Sequence, residues 1–147
     1  MIKKISVKTE LGWVSAFENG GKIFKIKFGK IKEQSQSHIL INFKKNLIKF
    51  FKKRTSNIKA PYKIQGSQIQ KKVWKELTKI KLGKTKSYGE MAKKFKLSPR
   101  HVGKICGQNK IVLAIPCHRV VRSDGSMGGF SSIGGISLKQ KLLDFEN

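Results

Sequence analysis

The sequence predicts a mixed α/β (α+β) chain. A small N-terminal β-sheet carrying one helix is followed by an all-helical, winged-helix-like domain built on a helix-turn-helix. Three observations lead there. Within the first thirty residues apolar positions alternate, as in Phe24, Ile26 and Phe28 around Lys25 and Lys27. From Ser37 onward the apolar spacing changes to three and four. Between Ser67 and Pro99 two serine capping boxes and a Ser-Pro helix start follow one another closely.

Taken in order, Ile5 and Val7, then Trp13 to Phe17, form short extended runs broken at Gly12. Asn19-Gly20-Gly21 is a turn signal, and Ile23 to Phe28 completes a small antiparallel sheet. Ile39, Phe43, Leu47 and Phe50 make one amphipathic helix within 37–54, expected to lie on that sheet. Thr55 to Gly66 is a connector, which puts the domains at 1–63 and 64–147.

Ser67 to Gln70 opens the next helix, with Ile69, Val73, Leu77 and Ile80 as its stripe and Gly83 as its end. Trp74 is read as core. Ser87 to Glu90 opens a short helix to Phe95, and Lys96-Leu97 links it to a third helix capped by Ser98 and running to about Cys106. This pair is the helix-turn-helix, with Arg100 and His101 in the first turn of its second helix. Gly128 to Gly135 lacks the spacing of a phosphate loop and reads as backbone approached closely by a ligand. A last helix begins at Ser137 and carries Leu138, Leu142, Leu143 and Phe145.

Composition narrows the function. The 147 residues hold 33 Lys and Arg against 8 Asp and Glu, a formal charge of +25. Such a field favours a polyanion. Met1 to Ser15 has no apolar signal core and no 18-residue apolar run occurs, so a cytoplasmic protein without a membrane partner is expected. Cys106 and Cys117 are the only cysteines and form no Cys-x-x-Cys pair, which argues against a disulfide framework or a metal site. No cofactor motif and no oligomer seam is visible, so a monomer is expected.

The most reactive stretch is Ile115-Pro116-Cys117-His118-Arg119-Val120-Val121. The apolar run Ile111 to Ile115 reads as a strand that Pro116 stops, leaving Cys117 on a bend. A soft nucleophile beside a base and a permanent cation makes a credible reactive centre. The plain alternative is a chance Cys-His neighbour pair in a basic protein.

Pro116 to Val121 resembles the signature of the O6-alkylguanine-DNA alkyltransferases, the methylated-DNA–protein-cysteine methyltransferases. The likeness runs from Pro61 to Glu146. It includes Gly66 to Gln70 with Val73-Trp74 and Leu77, Gly83-Lys84-Thr85, Ser87-Tyr88, Asn109 eight residues before Cys117, Gly134-Gly135, and Lys139 to Leu143 with Glu146. Residues 1–63 are similar only loosely, and the resemblance implies a ribonuclease H-like domain there.

By that resemblance the partner is double-stranded DNA containing O6-alkylguanine. The damaged base is flipped out through the minor groove, with Arg100 as the intercalating finger. Ser98, Pro99, His101, Gly103, Arg119 and Tyr88 are the other expected DNA contacts. Tyr88, Val120, Gly129, Phe130 and Ser131 would line the base pocket. Phe130 stands where many relatives have tyrosine, and Pro99 and His101 replace small residues beside the finger. Cys117 would be the acceptor, within a Cys–water–His–Glu relay of Cys117, His118 and Glu146. Asn109 would brace the turn, Tyr88 would protonate the leaving guanine, and Arg119 would help lower the thiol pKa. Three rivals remain at this stage: a non-enzymatic lesion binder of the alkyltransferase-like type, a cysteine hydrolase, and a plain basic DNA-binding regulator.

Overall fold

The computed structural model describes residues 1–32, 34–53, 55–128 and 135–147. The chain forms two compact units, residues 1–64 with 110–114 and residues 65–109 with 115–147.

The first unit is an antiparallel meander of β1 (Lys3–Thr9), β2 (Gly12–Asn19) and β3 (Lys22–Phe28). The β2–β3 hairpin turns on Gly20 and Gly21, both at positive φ (62° and 85°), where a side chain would be strained. Register puts Ile5, Ala16 and Ile26 side by side, and likewise Val7, Val14 and Phe28. All six are buried. They face α1 (His38–Phe51), whose Leu40, Phe43, Leu47 and Phe50 are each fully buried. Ser37 caps α1 by accepting from the Leu40 N–H.

The free edge of β3 is covered twice. Ile23 N–H donates to Pro61 O at 2.8 Å, and Ile26 N–H donates to Lys110 O at 2.9 Å. The expected strand Ile111 to Ile115 is therefore only a pair of isolated bridges and a tight turn, with Leu113 at φ 70°. All five of its residues are buried. Continuous apolarity reported burial correctly, but it does not distinguish a strand from a buried turn.

The second unit is mainly helical. In α2 (Gln68–Leu77) the Ser67–Gln70 capping box forms as expected, and Trp74 Nε1 donates to Ile105 O at 3.0 Å from the core. The helix stops at Leu77, before the expected Gly83, and Ile80 is buried from the turn beyond it. Ser87 and Glu90 cap α3 (Tyr88–Phe95), which ends on left-handed Lys96. Ser98 accepts from His101 N–H at 3.1 Å and Pro99 takes the first position of α4 (Pro99–Gly107). The α3–α4 pair is the expected helical hairpin. One feature departs from an all-helical domain: β4 (Lys86–Ser87) pairs in parallel with β5 (Val120–Val121). The last helix, α5, spans Gly135–Glu146.

Candidate active site

Pro116 and the two residues either side of it bend the chain into a 3₁₀ turn, Cys117–Arg119. Cys117 N–H donates to Ile115 O at 2.8 Å and Arg119 N–H to Pro116 O at 3.0 Å. The turn buries three polar side chains in sequence. Cys117 is 4 % exposed, and His118 and Arg119 are fully enclosed. Asn109 holds the bend: its Nδ2 donates to Ile115 O at 2.9 Å and to Cys117 Sγ at 3.4 Å.

Glu146 on α5 gathers the other two. Its Oε2 lies 2.8 Å from His118 Nε2, while Arg119 Nε reaches Oε1 at 2.9 Å and a second guanidinium nitrogen reaches Oε2 at 3.0 Å. The remaining guanidinium nitrogen donates to Ile80 O at 2.5 Å. Burial would raise the Glu146 pKa, but the bonds from His118 and Arg119 outweigh it and hold the carboxylate ionised. An ionised partner requires the proton on Nε2, so Nδ1 carries the lone pair. Burial lowers the His118 pKa despite Glu146, leaving a neutral imidazole at neutral pH. Among the described residues Nδ1 has no hydrogen-bond partner.

Two expectations about Arg119 are corrected. Enclosed between Glu146 and Ile80 O, its guanidinium is withheld from a DNA phosphate. Nor does it activate the sulfur. Burial pushes the Cys117 thiol up, and Asn109 and Lys139 only partly offset this. The resting side chain is thus a thiol, and the cation facing it is Lys139.

Lys139 of α5 is fully buried. Its ammonium donates to the Tyr88 hydroxyl at 3.2 Å and lies 5.4 Å from that ring's centroid. Burial lowers its pKa, while Cys117 and Cys106 act in the opposite sense. Burial also raises Tyr88 to about 12, so the phenol stays protonated. Because Lys139 donates to the phenol oxygen, the O–H proton is left for a third group. The second thiol, Cys106 on α4, is pushed up to about 12 by burial and then by Cys117.

A cavity of about 690 Å³ opens above these groups, in the size range of about 300–1,000 Å³ usual for small-molecule sites. Cys117, Cys106 and Tyr88 line it together with Pro99, Arg100 and Gly103 of α4, and Arg122, Ser123 and Gly128 close the other side. Arg100, His101, Ser98 and Pro99 are exposed. The structure therefore puts the exposed start of α4 and the thiol on one cavity. Val120 does not contribute: it is fully buried in β5 and is not among the described residues lining the space. Gly129, Phe130 and Ser131 lie outside the described residues.

Lys139 and Cys106 were not singled out as site residues by sequence, and Gly128 only as the start of the glycine-rich segment expected to approach a ligand. For Lys139 the signal existed: Lys139, Leu142, Leu143 and Glu146 recur at i, i+3, i+4 and i+7, so two charges sit on the buried stripe of α5. Gly128 is explained by contact, since a Cβ there would overlap the Tyr88 hydroxyl and ring. Gly128→Ala is expected to displace Tyr88 and slow reaction at Cys117 by roughly tenfold to a hundredfold. An unchanged rate with a free alkylated base would show that the contact does not position Tyr88.

Among the described residues no three His, Cys, Asp or Glu converge as metal ligands, and no helix is long and apolar enough to cross a membrane.

The family described as 6-O-methylguanine DNA methyltransferase, DNA binding domain, matches residues 68–147. A methylated-DNA–protein-cysteine methyltransferase of Metallosphaera sedula is 34 % identical over 149 residues, 99 % of this chain and 94 % of the relative. The crystal structure of the Mycobacterium tuberculosis O6-methylguanine methyltransferase superposes with a TM-score of 0.85 at 26 % identity, covering 99 % of this chain and 93 % of that one. The same organism's OGT in complex with DNA gives 0.80 at 26 %, with 97 % and 92 % covered. With a matching family over more than half its length and a relative over nearly all of it, the chain belongs to the methylated-DNA–protein-cysteine methyltransferase family.

Proposed function

We propose that this protein repairs DNA by direct reversal, moving one alkyl group from O6 of a guanine flipped out of duplex DNA onto Cys117. The observation that carries this reading is the cavity shared by a buried thiol, a protonated tyrosine and the exposed start of α4. Arg100 fills the space the base leaves, and Ser98, Pro99, His101 and Gly103 approach the backbone around it.

The thiol proton passes to His118 Nδ1 through a bridging water, and the resulting imidazolium is held by Glu146. Lys139 stabilises the thiolate. Sulfur then attacks the alkyl carbon: the S–C bond forms, the C–O bond breaks, and the electron pair leaves on guanine. Tyr88 donates its proton to that developing anion and is reprotonated through Lys139. Attack at an sp3 carbon leaves a thioether, which water does not cleave, so each molecule acts once. The protein works as a cytoplasmic monomer on this reading. The presence of Cys117 disfavours a purely lesion-binding role.

Duplex DNA carrying a labelled O6-methylguanine tests the proposal. Label should move to protein and plateau at one per molecule; continued turnover would refute it. Arg100→Ala should slow transfer from duplex by about a hundredfold while leaving reaction with free O6-methylguanine base nearly unchanged. An equal loss in both would remove Arg100 from base flipping.

A further inference from the structure

We infer that Arg122 grips a phosphate flanking the flipped nucleotide, from the rim of the cavity opposite Arg100. The inference rests on the proposed alkyl transfer and adds a positioning residue to it.

Arg119 and Arg122 stand three residues apart in opposite surroundings. Arg119 is enclosed by Glu146 and Ile80 O, whereas Arg122 is exposed and lines the cavity. Between them β5 is buried and paired with β4. The chain leaves β5 in a closed turn. Arg122 N–H donates to Ser126 O at 2.9 Å, and Gly125 N–H donates to Arg122 O at 2.8 Å, with Gly125 at φ 84°. The backbone beneath the guanidinium is thus held on both sides.

The guanidinium itself has no counter-charge bound to it. Asp124, the nearest carboxylate in sequence, is turned into its own loop, where it accepts from the Ser126 N–H at 2.9 Å and the Ser126 hydroxyl at 2.6 Å. Among the described residues Arg122 forms no ion pair. Its charge nevertheless reaches the site. Burial is the main cause of the shifts at Tyr88 and Lys139, and Arg122 adds a smaller downward pull on each.

An extruded nucleotide brings phosphates to such a place. Its base enters the cavity, but its sugar stays bonded through phosphates to both neighbours, so two anionic linkages are held at the rim. Of the described residues lining the cavity, Arg100 and Arg122 are the exposed cations. Arg100, on α4, is taken up by the space the base leaves. Arg122 stands on the other side, where a guanidinium can pair two of its donors with the two free oxygens of one phosphate. A bond made to the displaced linkage favours the extruded state over the stacked one. A free alkylated base carries no phosphate and gains nothing from it.

The test is single-turnover methyl transfer to the full chain from duplexes carrying one O6-methylguanine. The linkage immediately before or immediately after the lesion is either ordinary or an uncharged methylphosphonate. With wild type, one of the two neutral linkages should slow transfer by at least about tenfold, as loss of a hydrogen bond to a charged group does. Arg122→Met should slow transfer from the ordinary duplex by a similar factor and then be indifferent to that neutral linkage. Arg122→Lys should recover part of the rate. Arg100→Ala, slower overall, should still respond to the linkage in full. With free O6-methylguanine base, Arg122→Met should lose far less than with duplex. The inference is overturned if neither neutral linkage slows the wild type, or if the neutral linkages slow Arg122→Met as much as wild type. It is overturned equally if the free-base reaction falls with the duplex reaction, which would place the charge of Arg122 in the chemistry at Tyr88 and not on DNA. Wild-type protein that takes methyl from neither substrate would instead overturn the repair reading, and this inference with it.

Discussion

Cys117→Ser is expected to fold, bind DNA and take up no methyl group, a loss of at least about a thousandfold. The substitution exchanges one atom in a turn already held by Asn109 and Pro116, so the cavity survives. What is lost is acidity and softness. Burial already raises the thiol pKa, and a hydroxyl in the same place lies far beyond the reach of a neutral imidazole. Cys106 does not substitute for it, because burial, the largest cause of its own raised pKa, is unchanged in the variant. Label transfer from methylated duplex checks this, and any stoichiometric uptake by the serine variant would mean that another group is the acceptor.

Arg119→Met should have the largest effect on stability. The guanidinium bonds to both Glu146 oxygens and to Ile80 O, and its removal leaves a buried carboxylate with His118 as its remaining side-chain partner among the described residues. Breaking one side of such a pair costs about 3–5 kcal/mol, to be read from denaturant unfolding. A kinetic effect with a definite sign accompanies it. Burial is the main cause of the low His118 pKa, but Arg119 lowers it further. Without Arg119 the imidazole gains its proton at higher pH, so the acid limb of the rate profile should move upward. Glu146, no longer held down by Arg119, should also lose its stabilising ionisation at higher pH as the solution is acidified. An acid limb that stays in place would show that Arg119 is structural only.

Local signals in the sequence were read well where they act over a few residues. Ser37, Ser67, Ser87 and Ser98 all cap the helices they were expected to start. Alternation around Phe24 and Ile26 gave a strand, and the link at Lys96 gave the α3–α4 hairpin. The errors come from groups whose partners are distant in sequence. Arg119 was expected among the DNA contacts by the resemblance, whereas Glu146, 27 residues on, buries it. Val120 was placed in the pocket, but Lys86 pairs with it in β5. The run 111–115 was read as a strand because apolarity records burial and not backbone direction. Lys139 went unassigned for a related reason: its charge on the buried stripe of α5 is legible, but its neighbours Tyr88 and the two thiols are brought to it only by the fold.

The most direct measurement of the central claim is a peptide map by mass spectrometry after reaction with excess O6-methylguanine duplex. One methyl group on the peptide containing Cys117, with Cys106 unmodified and no further uptake on adding substrate, is the predicted result. A methyl group on Cys106, or a Cys117 that returns unmodified while lesions continue to disappear, would contradict it.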